Sequence, residues 1–259
     1  MVLTVRWVSH PASARSQAQR WFCSARFSRK NSAAALTLGD PQSGALFRIA
    51  SLNSLARIPS AHSEGVKVAA HAIGDAPTRI AAEAGVDSIE HAYTVPDDVL
   101  AMMAQKHIFL VPTDMTVKTF EEMMLGDRTP SPEEKAYLDK RFKGFEEGQI
   151  SRLQRAIKAG VPIAYGSDMY LSMWHKTRGQ ASLLTFDSYT AAGMSPMDII
   201  RAATSNAAEL LGLKDRLGSI EAGKWADIIA VLGDPLKDVS VLQHARFVMK
   251  GRVVIKNER

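Results

Sequence analysis

Cysteine is nearly absent from this chain. Cys23 is the single thiol among 259 residues, so no intramolecular disulfide can form and no disulfide framework braces the fold. Long uncharged apolar runs are missing too. The strongest are strand-sized, well short of the roughly 20 residues that a membrane-spanning helix needs. No glycine-rich phosphate loop of either standard spacing occurs, which leaves a nucleotide-binding reading without support. Glutamate is absent from residues 1–63, and Asp40 is the only acid there. That stretch carries eight of the 32 basic side chains, leaving 24 bases against 26 acids elsewhere. The net charge of +5 therefore belongs to the N-terminal segment, and the body reads as a mildly acidic enzyme rather than a nucleic-acid-binding surface.

Residues 1–60 show little periodicity and are rich in Ser, Ala and Arg. Three readings compete. A mitochondrial transit peptide has this composition, as does a basic disordered arm. The third is a stretch foreign to the original fold, produced by a shifted reading frame or a truncation, and the abrupt change of character at 60–63 favours it. A secretory signal is not expected, because Arg6 interrupts the only early apolar stretch and no apolar core follows it. Trp7, Trp21 and Phe22 lie among the basic residues and offer stacking surfaces, but scattered aromatics in an irregular segment are weak grounds for a nucleic-acid partner. The expected location is cytoplasmic, or mitochondrial if the segment is a transit peptide.

From Ala61 onward the chain becomes regular. Four short apolar runs recur: 65–71, 85–91, 107–113 and 160–168. Three begin with Gly (Gly65, Gly85, Gly160), and helical stretches over Thr78–Ala84, Val99–Lys106 and Glu146–Ala159 precede the later ones. Gly just past a helix is the usual left-handed C-cap. A short apolar, partly β-branched run is the mark of a buried parallel strand. Each run ends in a polar residue: His71, His91, Thr113 or Asp168. Such αβ alternation implies a parallel sheet with crossover helices. In a barrel of that type the carboxyl ends converge on the catalytic face. The rhythm alone does not separate half of an eight-unit barrel from an open doubly wound sheet.

A long insertion, Asp114 to Gln149, follows the third run. It contains the turn Gly126-Asp127-Arg128-Thr129-Pro130, then a charged helix opening at Ser131-Pro132-Glu133-Glu134, with Ser as N-cap and Pro in the first turn. On a catalytic face it would serve as a lid or specificity element. Its methionines, Met115, Met123 and Met124, either line a pocket or simply pack the helices.

Two His and one Asp at the ends of neighbouring parallel strands are a donor set for zinc or a similar divalent metal. Three protein ligands and one open position make a catalytic metal site, supplying Lewis acidity toward water and a carbonyl. Asp168 would also shuttle a proton to the leaving amine. Taken singly, each has a plainer reading: a satisfied core histidine for His71 or His91, a helix cap for Asp168. Their joint placement favours the metal site. His175, Tyr93 and Thr113 lie on the same rim and are candidate substrate contacts. His107, at a strand start, reads as structural.

VAAHA at Val68–Ala72, AGVDSIEHA at Ala84–Ala92 and GVPIAYGSD at Gly160–Asp168 resemble the fifth, sixth and eighth barrel strands of the amidohydrolase superfamily. ATSNAAELLGL at Ala203–Leu213 resembles its helix after the barrel. GSIEAGKWADIIAVLGDPL at Gly218–Leu236 resembles the return into its small β-sandwich. The subgroup most similar is the imidazolonepropionase-like hydrolases, with their Xaa-Pro and Xaa-Arg dipeptidase types. The resemblance covers about three-quarters of the chain. It implies an α/β fold, a partial (β/α)8 TIM-type barrel of units five to eight with part of a C-terminal β-sandwich. The implied division is an irregular basic segment at 1–60, barrel at 61–213 and sandwich portion at 214–259.

By the same resemblance His71, His91 and Asp168 are metal-site residues, Asp168 is the catalytic base, and zinc is the usual metal. One metal site at most is implied here. The implied activity is hydrolysis of an amide C–N bond in a dipeptide, an N-acyl amino acid or a cyclic amide, with a small-molecule or peptide substrate, no membrane partner, and a homo-oligomer left open. The chain departs from the family by having no His-x-His pair and no bridging lysine. Lys67 precedes the strand and Lys30 has none around it, so a catalytically inactive relative is the competing expectation. Sixty residues do not supply four βα units.

Overall fold

The computed structural model describes the backbone of residues 2–3, 35–40 and 45–49, and residues 58–169, 173 and 175–258 in full. Most of the basic N-terminal segment, Lys30 and Cys23 included, lies outside the described residues. Strands β1 (Val2–Leu3), β2 (Ala35–Asp40) and β3 (Ala45–Ile49) precede helix α1 (Ile58–Ser63). An alternating series follows: β4 (Val68–Ala72), α2 (Asp75–Ala84), β5 (Ser88–His91), α3 (Asp97–Gln105) and β6 (Phe109–Val111). The insertion forms α4 (Val117–Leu125) and α5 (Pro132–Lys158). Beyond them lie α6 (Arg178–Leu183), α7 (Thr185–Ala191) and α8 (Pro196–Arg201). A π-helical turn at Ala202–Asn206 runs into α9 (Ala207–Leu210). Strands β7 (Ile228–Val231), β8 (Ala245–Lys250) and β9 (Val253–Asn257) close the chain. Among the described residues no helix is long and apolar enough to cross a membrane.

The larger sheet has the order β3-β2-β4-β5-β6. β4, β5 and β6 are parallel, as the αβ rhythm requires. Gly85 caps α2 at φ 76° in the left-handed region, its N–H returning to Ala81 and Ala82, and so releases the chain directly into β5. Residues 1–60 read as irregular from the sequence, yet they supply three strands. β2 runs antiparallel to β4, and β3 pairs with β2. Tertiary pairing makes these strands: β4 would otherwise expose a row of unpaired N–H and C=O groups.

The fourth apolar run departs from expectation in the opposite sense. It forms no extended strand, only a parallel bridge between Ile163 and Leu110. Leu110 donates to the Pro162 carbonyl at 2.9 Å and accepts from the Ala164 N–H at 3.0 Å. Helical groups satisfy the other edge. Tyr165 N–H donates to the Ala202 carbonyl at 2.9 Å, and the Asn206 amide donates to the Ile163 carbonyl at 2.9 Å. The π-helical turn thus occupies the place of a neighbouring strand on that edge.

Strand alternation divides the core. Val68, Ala70 and Ala72 of β4, Ile89 of β5 and Leu110 of β6 pack with the helices in the main cluster, around Leu100, Met103, Leu153, Phe186 and Ile199. Phe109 and Val111 face the other way and form a small cluster with Ala164. The C-terminal strands form one antiparallel sheet, β1-β7-β8-β9, tied at its hairpin by Gly251 N–H on the buried Asp227 at 2.6 Å.

Gly218, in the motif that leads toward β7, has φ +89°. A Cβ there would lie 2.9 Å from Ser205 Cα and 3.0 Å from the Thr204 carbonyl. Both contacts are backbone of the π-helical turn. Gly218→Ala is therefore expected to cost more than the roughly 1 kcal/mol of an ordinary left-handed penalty, about 2–4 kcal/mol in all. Urea denaturation measures it; an unchanged midpoint would show that the π-helical turn yields.

Candidate metal centre

In the parallel register of β4 and β5, His71 lies opposite Glu90, and Ala72 lies opposite His91. Strict alternation would put the two histidines on opposite faces of the sheet. Their rings nevertheless meet, edge to face, with centroids 4.4 Å apart. The backbone supplies the reason. His91 has φ 68° and Ala92 φ 50°, so β5 ends in a left-handed turn that brings the His91 ring to the His71 side. Thr113 (φ 57°) and Asp168 (φ 48°) carry the same left-handed conformation at the ends of their own runs. For residues with a Cβ this costs on the order of 1–2 kcal/mol each. Such strain gathers where function requires a geometry that packing alone does not favour.

His91 is buried. Its Nδ1 lies 2.6 Å from Thr113 Oγ1, and the Thr113 hydroxyl donates to the Pro112 carbonyl at 2.7 Å. A hydroxyl has one proton. With that proton on Pro112, Thr113 accepts from His91, Nδ1 carries the imidazole N–H, and Nε2 becomes the lone-pair nitrogen. An acceptor at one ring nitrogen fixes which nitrogen carries the proton. Tyr93 packs on His91 with ring centroids 5.6 Å apart. Burial pushes its phenol above the ordinary range, against the effect of a hydrogen bond to Thr113.

The six residues singled out from the sequence separate into two groups. His71, His91, Thr113 and Tyr93 form one contiguous cluster. Thr113 is buried against His91. Asp168 is exposed and lies three residues past Tyr165, the last residue of its run held by a backbone bond of the kind described above. Its charge still reaches Glu90 and Tyr93. His175 is exposed and pairs with Asp127 of the insertion at 2.7 Å. Among the described residues, no three His, Cys, Asp or Glu side chains come close enough together to hold a metal ion. Among the described residues the expected triad of His71, His91 and Asp168 is not gathered into one group. The imidazole pair fits a divalent metal by donor chemistry; among the described residues the third ligand is not gathered.

Sequence reasoning passed over two features. Glu90 shares the sheet face of His71 and accepts from Ser88 Oγ at 2.7 Å. Burial pushes its carboxyl up to about 7, with Asp168 adding to the shift. The Ser-x-Glu-His spacing on one strand was the available signal. The second is a buried ion pair, Arg152 with Asp114. It joins α5 to the residue after Thr113 across 38 positions, and no local pattern announces it. The insertion's methionines also divide: Met115 and Met123 pack with Met169 and Met173, while Met124 is exposed.

Burial raises the Asp114 carboxyl to about 6, even against Arg152. A carboxyl raised in the folded state stabilises fully below its unfolded pKa of about 3.9 and loses that contribution as pH rises through the folded value. Stability referable to Asp114 should fall by up to about 3 kcal/mol between about pH 4 and 6.5. Denaturation midpoints across that range, beside Asp114→Asn, check it. The variant should lack this part of the slope, and parallel curves would refute the assignment.

With this geometry in hand, comparison with known proteins identifies the relatives. The model of the "Amidohydrolase family" matches residues 48–256. Ochratoxinase of Aspergillus niger is 30% identical over 182 residues, 70% of this chain and 35% of the relative. Imidazolonepropionase of Symbiobacterium thermophilum is 26% identical over 219 residues, 81% of this chain and 44% of the relative. The crystal structure of a Xaa-Pro dipeptidase with bound methionine in the active site superposes with a TM-score of 0.62 at 30% identity, covering 78% of this chain and 48% of that one. That of A. niger ochratoxinase gives 0.62 at 29%, covering 82% and 46%. The chain thus spans half or less of the length of these relatives. A family model that matches most of the chain, and solved relatives whose fold it shares, establish that this protein belongs to the amidohydrolase family.

Proposed function

We propose that this chain carries the second half of a metal-dependent hydrolase site acting on amide C–N bonds, in a dipeptide, an N-acyl amino acid or a cyclic amide. Family members generally use divalent metals, and ochratoxinase and prolidase-type relatives act on amide bonds. The single observation that carries the reading is the His71–His91 pair, edge to face at 4.4 Å, with His91 oriented by Thr113. On this reading β4, β5, β6 and the Ile163 run are barrel strands five to eight, 61–213 is the barrel portion, and 214–259 belongs to the β-sandwich.

His71 and His91 would hold one divalent metal, zinc by family resemblance. When bound, the metal supplies Lewis acidity toward water and the scissile carbonyl. The chain's own residues do the rest. Thr113 keeps Nδ1 of His91 protonated so that Nε2 faces the ligand. Asp168, exposed on the rim, takes a proton from the attacking water and passes it to the leaving nitrogen. Tyr93 walls the cluster on the side of α5. His175 and its partner Asp127 bring the insertion over the rim, where a substrate's polar ends would meet them.

A second reading is favoured by a specific observation. No three-ligand group exists among the described residues, and the His-x-His pair is missing from the sequence. On that reading the chain is an inactive relative that keeps only the imidazole pair.

Elemental mass spectrometry of the purified full chain, beside the His71→Ala/His91→Ala double variant, separates the two. The hydrolase reading expects about one zinc per chain, lost in the double variant, together with turnover of dipeptides or N-acyl amino acids that Asp168→Asn lowers by about 100-fold or more. Absence of metal, or equal metal in the double variant, sinks it.

A further inference from the structure

The residues that leave β6 are held from one side by two buried polar groups of α5. The Met115 N–H donates to Gln149 Oε1 at 3.0 Å, and the Gln149 amide returns a longer bond to the Met115 carbonyl at 3.4 Å. Arg152 donates to Asp114. Gln149 and Arg152 are three residues apart and therefore share one face of the helix. Their relative exposures are 3% and 1%.

Arg152 is poorly served by this arrangement. Among the described residues its Nε and Nη1 have no hydrogen-bond partner, and its guanidinium carbon lies 5.7 Å from the centre of the Tyr93 ring. A buried donor left unsatisfied is costly, and more so when charged. Folding alone gives no reason to put a half-satisfied guanidinium here. A reason appears one residue upstream, where Thr113 holds a left-handed conformation that it would leave without restraint.

We propose that Gln149 and Arg152 are positioning residues for His91. By fixing Asp114 and Met115 they pin Thr113 in its left-handed turn. Its hydroxyl then faces Nδ1, and the imidazole is held as the Nδ1–H tautomer with Nε2 turned to the ligand. The inference deepens the metal-hydrolase reading and rests on it only for the purpose of the tautomer, not for its existence.

The test measures tautomer and metal separately on the full chain. Long-range ¹H–¹⁵N NMR of the His91 ring reports the Nδ1–H to Nε2–H ratio without metal, and titration with zinc chloride gives the affinity. Wild type should be mainly Nδ1–H, and Thr113→Val, which removes the acceptor, calibrates the loss. Gln149→Leu and Arg152→Lys should each shift the ratio toward Nε2–H by about fivefold and weaken zinc binding by about tenfold. A merely structural role would lower the melting temperature and leave the ratio unchanged. If Arg152→Lys does not fold, Gln149→Leu decides alone, since it leaves the ion pair intact. An unchanged ratio in the folded variants, or a wild-type ring that is not mainly Nδ1–H, overturns the clamp. A shifted ratio in a protein that binds no zinc upholds the clamp and sinks the metal reading instead.

Discussion

Side chains alternate along a strand, and by that rule His71 and His91 belong to opposite faces of the sheet. The candidate site exists because the rule is broken at one residue. Positive φ at His91 ends β5 and swings its ring to the side of His71. Everything nearby serves that break. Thr113 receives the ring from behind, in a left-handed turn of its own. Tyr93 packs against it, and α5 reaches in to hold the loop that carries Thr113. Strain on the order of 1–2 kcal/mol per residue persists only where its surroundings leave the chain no alternative, and buried contacts on both sides of the loop provide that restraint.

The second constraint is the edge problem of an open parallel sheet. β4 and the Ile163 run both have flanks that require partners, and the two are satisfied differently. β4 is completed by the antiparallel β2–β3 hairpin. The Ile163 run is completed by a helix that widens into a π-turn so that Ala202 and Asn206 can reach it. π-turns of this kind occur often at functional sites. Here the turn lies beneath the segment that leads to Asp168. The segment that leads to the proposed proton shuttle is therefore anchored by a helix on one flank and by the bridge to β6 on the other.

Much of this was legible from residue order. The short apolar runs, two of them led by Gly65 and Gly85, mark the parallel β4-β5-β6 series, and Gly85 caps α2 as its position suggests. Ser131 and Pro132 open α5 at the expected place. Legibility ended where an outcome depended on a distant partner. Nothing local in Ala35–Asp40 marks it as a strand; the exposed edge of β4 makes it one. Val161–Ala164 has strand composition, yet among the described residues it pairs only through the bridge to Leu110. The same limit applied at the site. His71 and His91 could be named from their runs, whereas the left-handed turn that joins them has no Gly or Asn to announce it. The pairing of Asp114 with Arg152 spans 38 positions with no motif at either end.

The charges around the imidazole pair fit the work proposed for it. Glu90, on the face of His71, has its carboxyl raised to about 7 by burial. A cation held by the imidazoles would favour the ionised form and reverse that effect. Asp114 is likewise raised by burial, but it is already matched to a cation that Asp114 alone does not fully satisfy. The two carboxylates differ in kind for this reason. Asp114 belongs to the frame, since its partner is internal and fixed. Glu90 shares its sheet face with Phe109 and Val111, which pack with Ala164 and Leu210, and its shift reflects that burial. Asp114 thus reports on the internal frame, and Glu90 on the burial of the strand that carries His91.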